Sequence, residues 1–137
     1  MIKVVVFDVL GVLIGQNGLL TQDRFKHILS KLKEKQISIC VLSNSSKHLA
    51  VSHKELGDFI NTHTDQDFFL VEDNMFKPEP EAYEKVLQHY NVTAKECLLI
   101  DDGSDNIEAA KRMGFETYLY RDAEGCLGAL NSIVDIQ

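Results

Sequence analysis

The stretch VVVFDVLGVLIGQNG, residues 4–18, decides how this chain is read. Its first half is β-branched and apolar, the composition of a strand buried on both faces. Asp8 interrupts that run, and a carboxylate so placed requires a partner or a task. Gly11 follows three residues later, and Asn17-Gly18 is a two-residue hairpin signal. These residues predict a strand over 3–9 with Asp8 near its carboxyl end, then a short flap over residues 14–20.

Outward from this stretch the pattern alternates. TQDRFKHILSKLKEKQ (21–36) carries Phe25, Ile28, Leu29 and Leu32 at helical spacing, with Thr21 placed to cap it. ISICVLSN (37–44) reads as a second strand, and SKHLAVSHKEL (46–56) as a helix closed by Gly57. DFFLVE (67–72) is a third strand, and PEPEAYEKVLQHY (78–90) is a helix with proline and acids in its first turn. ECLLID (96–101), SDNIEAAKRMG (104–114), ETYLY (116–120) and AEGCLGALNSI (123–133) continue the series as strand, helix, strand and helix. Five strands separated by helices predict a central, mainly parallel sheet covered on both faces. Right-handed crossovers make it a doubly wound, Rossmann-like α/β sandwich, with residues 1–137 forming a single domain.

Composition narrows the function classes. The chain has 137 residues, 45% hydrophobic and 26% charged, which suits one globular core. A net charge of -7 argues against a sequence-independent grip on nucleic acid or an anionic membrane. The basic run KHILSKLKEK (26–35) reads as the solvated face of an amphipathic helix. Asp8 splits the N-terminal apolar stretch and no small-residue cleavage site follows it, so a signal peptide is not expected. No other apolar run has the length to span a bilayer. Cys40, Cys97 and Cys126 lack paired short spacing and fit reduced, buried thiols in a cytoplasmic protein. The five histidines show no metal-ligand spacing and read as helix-face or loop residues.

Ligands of open parallel sheets bind beyond the carboxyl ends of the strands, where the strand order reverses. The first strand ends at Asp8, the second at Ser43 and Asn44, and the fourth at Asp101 and Asp102; Lys77 precedes the helix leading into the fourth. Clustered carboxylates repel unless a cation joins them, and an oxygen-rich set suits magnesium. Lys77, Ser43 and backbone amides could hold phosphoryl oxygens beside it. Taken singly, each residue has a plain alternative. Ser43 is a turn or capping residue, Lys77 a surface lysine, and Asp101-Asp102-Gly103 a turn. Asp105 is a helix cap. Asp8 is the hardest to explain so simply.

Four stretches together resemble the haloacid dehalogenase-like (HAD) hydrolase superfamily. VVVFDVLGVL matches its first motif except at the second Asp, ICVLSNSS its second, FKPEPEAYEKVL its third, and CLLIDDGSDNIEAAKRMGF its fourth, in the family's order and spacing. The resemblance implies that Asp8 is a nucleophile forming an aspartyl-phosphate. Ser43, Asn44 and Lys77 would bind the phosphorylated substrate. Asp8, the Leu10 carbonyl, Asp101 and Asp102 would hold Mg2+, supported by Asp105 and Asn106.

Two departures qualify the expected activity. Leu10 stands where typical phosphatases of the family carry a general acid/base Asp, a group worth about 10²–10⁴-fold in rate. Turnover is therefore expected to be slow, or replaced by phospho-ligand binding in a pseudoenzyme. Dehalogenases also dispense with this acid but need no magnesium, so the Asp101-Asp102 pair ranks phosphate above haloacid. Phosphonate cleavage of the known type needs a cap lysine. The second departure is the cap itself, because neither the Asp8–Ser43 nor the Ser43–Lys77 interval has room for one. An open site would admit a bulky substrate or be covered by a second subunit or partner. A phospho-acceptor receiver domain combines similar residues, but with its acidic pair first and its single Asp later, the reverse of the order here.

Overall fold

The computed structural model describes residues 1–15, 18–19 and 23–136. Five strands form one parallel sheet: β1 (Val4–Phe7), β4 (Ser38–Ser43), β5 (Gln66–Phe69), β6 (Cys97–Asp101) and β7 (Glu116–Leu119), in the order β5-β4-β1-β6-β7. β1 is central because all four of its residues are apolar and buried, as a strand with neighbours on both edges and helices on both faces requires. Its register pairs Phe7 with Val41 of β4 and with Ile100 of β6. The two polypeptide halves diverge from β1 in opposite directions, so the order reverses beside it. This is the expected doubly wound architecture.

Alternating side chains of the strands feed two cores. One face packs Val5, Phe7, Ile39, Val41 and Ile100 against α1 (Asp23–Glu34), α3 (Lys54–His63) and α6 (Ala123–Ile136). The other packs Val4, Val6, Cys40, Leu42 and Leu99 against α4 (Pro80–Tyr90) and α5 (Ser104–Met113). The period-two split of each strand between these cores is the reason the strands read as unbroken apolar runs. Cys40, Cys97 and Cys126 are free and buried. Among the described residues no helix is long and apolar enough to cross a membrane.

Several expected boundaries shift. The helix expected over 46–56 is two helices, α2 (Lys47–Ser52) and α3, broken at His53. His53 adopts an extended backbone, and its Nδ1 accepts a hydrogen bond from the Leu56 amide at 3.2 Å, so it caps α3. Gly57 therefore lies inside α3 rather than closing a helix. The third strand is shorter than expected: the chain leaves the sheet after Phe69 and makes a 3-10 turn over Leu70–Asp73. Asn74 ends that turn in the left-handed region (φ 55°).

The flap forms as a two-stranded antiparallel ribbon of β2 (Ile14–Gly15) and β3 (Gly18–Leu19). Gly18 pairs with Gly15, so it stands in the ribbon and not in its turn. Asn17, the other half of the expected turn, and Thr21, the expected cap of α1, lie outside the described residues.

Gly57 reports on how α3 meets α2. Alanine in a helix interior normally stabilises by about 0.5–1 kcal/mol relative to glycine. A Cβ at Gly57 would lie 2.7 Å from the backbone oxygen of Ala50, which reverses the sign. Gly57→Ala is expected to lower the midpoint of urea unfolding, and a raised midpoint would contradict the close α2–α3 approach.

Candidate active site

The carboxyl ends of β4, β1 and β6 lie side by side, which brings Ser43, Asp8 and Asp101 together from distant parts of the sequence. Asp8 follows the last residue of β1, and its amide donates to the Ile100 carbonyl at 3.0 Å, fixing the turn out of the strand. Asp8 is 8% exposed and Asp101 fully buried. Lys77, 4% exposed, spans the two acids. Its Nζ donates to Asp8 Oδ1 at 3.1 Å, to Asp101 Oδ2 at 2.7 Å and to the Leu42 carbonyl at 2.7 Å. All three ammonium protons thus have acceptors, which a buried lysine requires.

Lys77 belongs to no strand or helix, so its backbone needs its own anchor. Asn44 supplies it: the Lys77 amide donates to Asn44 Oδ1 at 2.7 Å and Asn44 Nδ2 donates to the Lys77 carbonyl at 3.1 Å. Asn44, expected on the substrate, is here committed to positioning the lysine. Ser43 Oγ shares a 2.6 Å hydrogen bond with Ser45 Oγ and accepts from the Ser45 amide at 3.1 Å, so its hydroxyl is oriented by the turn after β4.

Asp101 is held from the α5 side. Its Oδ1 accepts from the Gly103 amide at 2.9 Å, and Asn106 Nδ2 lies 3.3 and 3.4 Å from its two oxygens. The buried Tyr83 in turn donates to the Asn106 carbonyl at 2.8 Å. Asp105 is exposed in the first turn of α5 and takes no part in these hydrogen bonds. Asp102 is exposed, but a carboxylate oxygen of Asp8, Asp101 and Asp102 each falls within 4.8 Å of the others. Gly11, with φ of +88°, passes directly against the Asp102 carboxylate, and any Cβ there would collide with it. That contact puts the Leu10-Gly11 backbone beside the acids. Leu10 itself is 53% exposed.

The comparisons with known proteins agree with this geometry. Residues 2–114 match the family described as haloacid dehalogenase-like hydrolase. The chain belongs to the haloacid dehalogenase-like hydrolases. Among curated relatives, it is 28% identical over 109 residues to bifunctional epoxide hydrolase 2 of Rattus norvegicus, a match covering 77% of this chain and 20% of that protein. It is 30% identical over 93 residues to Phosphatase MT3486 of Mycobacterium tuberculosis, covering 66% of this chain and 42% of the phosphatase. The chain thus spans less than half the length of these relatives.

Among solved structures, an uncharacterized protein of Corynebacterium glutamicum superposes with a TM-score of 0.80 at 20% identity, over 98% of this chain and 96% of that one. A HAD family enzyme of Bacteroides thetaiotaomicron, an Asp-to-Ala mutant in complex with magnesium and inorganic phosphate, gives 0.63 at 17% identity over 88% and 95%. At these identities the structures show the shared fold. Among the described residues, no cap insertion stands between β1 and β4 or between β4 and α4 beyond the flap, helices and strand already described.

Within this family member, sequence reasoning located Asp8, Ser43, Lys77, Asp101 and Asp102 in one cluster. It missed Ser45, whose signal was a hydroxyl two residues past the strand end, and Gly11, whose close approach to Asp102 had no local signal.

The electrostatics of the cluster are unbalanced, since three carboxylates face one ammonium. Burial pushes the Asp8 carboxyl up from 3.8 to about 7; the neighbouring Lys77 opposes the rise and the Asp101 charge adds to it. A carboxyl raised in the folded state keeps its proton between these two values while the unfolded chain has lost it. Stability from this group therefore falls as pH rises from about 4 to about 7. In chelator-treated protein, Asp8→Asn is expected to flatten the decline in melting temperature across that window. Parallel wild-type and variant curves would contradict the assignment.

Proposed function

We propose that this chain is a magnesium-dependent phosphatase that works through an aspartyl-phosphate on Asp8, and that it turns over slowly. The observation that carries the reading is the buried Lys77 ammonium bridging Asp8 and Asp101, with Asp102 alongside. A nucleophilic carboxylate, a charge clamp and a surplus of hard oxygen donors meet at one strand-end cluster, the combination that phosphoryl transfer calls for. The phosphatase among the curated relatives, and the magnesium and phosphate bound by the Bacteroides enzyme, support the same reading.

The donor set fits magnesium. Three carboxylates with a single lysine leave net negative charge, and the Leu10 carbonyl accepts no backbone hydrogen bond among the described residues. Asp8, Asp101, Asp102 and that carbonyl would hold the ion, which would supply charge neutralisation for the phosphoryl group. Asp8 Oδ then attacks phosphorus from a position fixed by its hydrogen bond with Lys77. Ser43 donates to a phosphoryl oxygen, its hydroxyl aimed by Ser45, while Lys77 balances the charge on nucleophile and phosphate. Asn44 acts by holding Lys77 rather than by touching substrate.

Residues 1–137 act in this reading as a single capless domain whose open site receives a bulky phosphorylated substrate or is covered by a second subunit or partner. The three buried free thiols favour a reducing compartment, the cytoplasm. A second reading, a phospho-ligand-binding pseudoenzyme, is favoured by one observation: position 10, two residues after the nucleophile, carries an exposed leucine where a proton donor would be useful.

Turnover of a phosphoester panel, with magnesium and with chelator, separates the two. The phosphatase reading expects magnesium-dependent phosphate release that drops to background in Asp8→Asn. Magnesium-dependent phosphate binding with no release across the panel would establish the pseudoenzyme instead.

A further inference from the structure

The surroundings of Asp8 restrict which phosphoesters this site can cleave. The segment after the nucleophile, VLGVLIGQNGLLTQ (9–22), contains no ionisable side chain. The N–H and O–H groups nearest the cluster are poorly suited to give up a proton. Lys77 spends its three protons on Asp8, Asp101 and the Leu42 carbonyl, and Asn44 clamps the Lys77 backbone. The Ser43 and Ser45 hydroxyls bond each other, and as alcohols they are poor acids. His48, exposed in the first turn of α2, forms no hydrogen bond or ion pair with the cluster. None of these side chains takes the place of the acid that Leu10, two residues after Asp8, cannot supply.

Two large apolar side chains are exposed on the segments that carry the site. Leu10 is 53% exposed and Phe76, the residue before Lys77, is 38% exposed. Both stand on segments anchored to the cluster, Leu10 through the contact of Gly11 with Asp102 and Phe76 through the Asn44 clamp on Lys77. Exposed large apolar side chains flanking a polar site are suited to an apolar substituent on the ligand.

Building on the phosphatase reading, we infer that the site is selective for aryl phosphates, in which the phosphoryl group leaves a phenolic oxygen and the ring lies against Leu10 and Phe76. A phenol ionises near pH 10, so phenolate departs without a proton donor, whereas an alkyl alcohol would leave as a far stronger base. In the first step Asp8 Oδ bonds to phosphorus and the P–O bond to the aryl oxygen breaks. Phenolate takes the bonding electrons and later a proton from bulk water. In the second step water attacks phosphorus, the P–Oδ bond breaks, and the carboxylate and inorganic phosphate are released with the proton passing to solvent.

The test is kcat/KM of the wild-type protein with magnesium on p-nitrophenyl phosphate, phenyl phosphate, a phosphotyrosine peptide and matched alkyl phosphates, including a phosphoserine peptide. The aryl esters are expected to exceed the alkyl esters by about 100-fold or more, the lower end of what general acid catalysis contributes. Preference for the small esters or for the phosphotyrosine peptide identifies the source of the ring. Leu10→Asp is expected to shrink the aryl-to-alkyl ratio at least tenfold by restoring a donor. Comparable rates on aryl and alkyl esters would overturn the inference while leaving the phosphatase reading intact. An alkyl rate that vanishes in His48→Ala would overturn it by locating a donor. Absence of magnesium-dependent release from every ester would overturn both.

Discussion

A single ammonium group organises the carboxyl edge of this sheet. Lys77 Nζ lies within 3.1 Å of acceptors on three adjacent strands or their extensions: Asp8 after β1, the Leu42 carbonyl of β4 and Asp101 of β6. Removing the lysine would leave two carboxylates facing each other out of water. Stability and chemistry make the same demand here. The buried acids meet an opposite charge at the floor of the site because the lysine is held there by its acceptors and by Asn44.

The fold explains why this convergence is possible. A parallel sheet in which the order reverses beside β1 puts the ends of β4, β1 and β6 next to one another, though residues 8, 43 and 101 are far apart in the chain. Each strand is locked by helices on both faces, so the strand-end side chains inherit the rigidity of two packed cores. The helices reinforce the site as well. Tyr83 of α4 reaches across to the Asn106 carbonyl on α5, and Asn106 lies against Asp101. The chain shares this core with the haloacid dehalogenase-like hydrolases, and among the described residues the flap is the only paired element between β1 and α1.

Much of this was legible in the sequence, for a physical reason. Buried parallel strands show as unbroken apolar runs, so a carboxylate such as Asp8 or Asp101 at the end of one stands out against its neighbours. The misread features depend on backbone path instead. Gly57 looked like a helix terminator but is a point of close contact with Ala50, and His53 ended one helix and capped the next by a single side-chain hydrogen bond. Asn44 also holds a backbone segment 33 residues away, which no local pattern announces. Gly11 is required by the Asp102 carboxylate more than ninety residues on, a proximity no local pattern encodes.

In the proposed function Asp8 is the nucleophile of a magnesium-requiring site. The most direct test is peptide mass spectrometry of protein quenched in acid during turnover of an aryl phosphate with magnesium. A phosphoryl group is expected on the peptide containing Asp8, lost when the sample is treated with hydroxylamine and absent when magnesium is chelated. Phosphate release in the presence of magnesium with no phosphoryl adduct, or with the adduct on another residue, would contradict it.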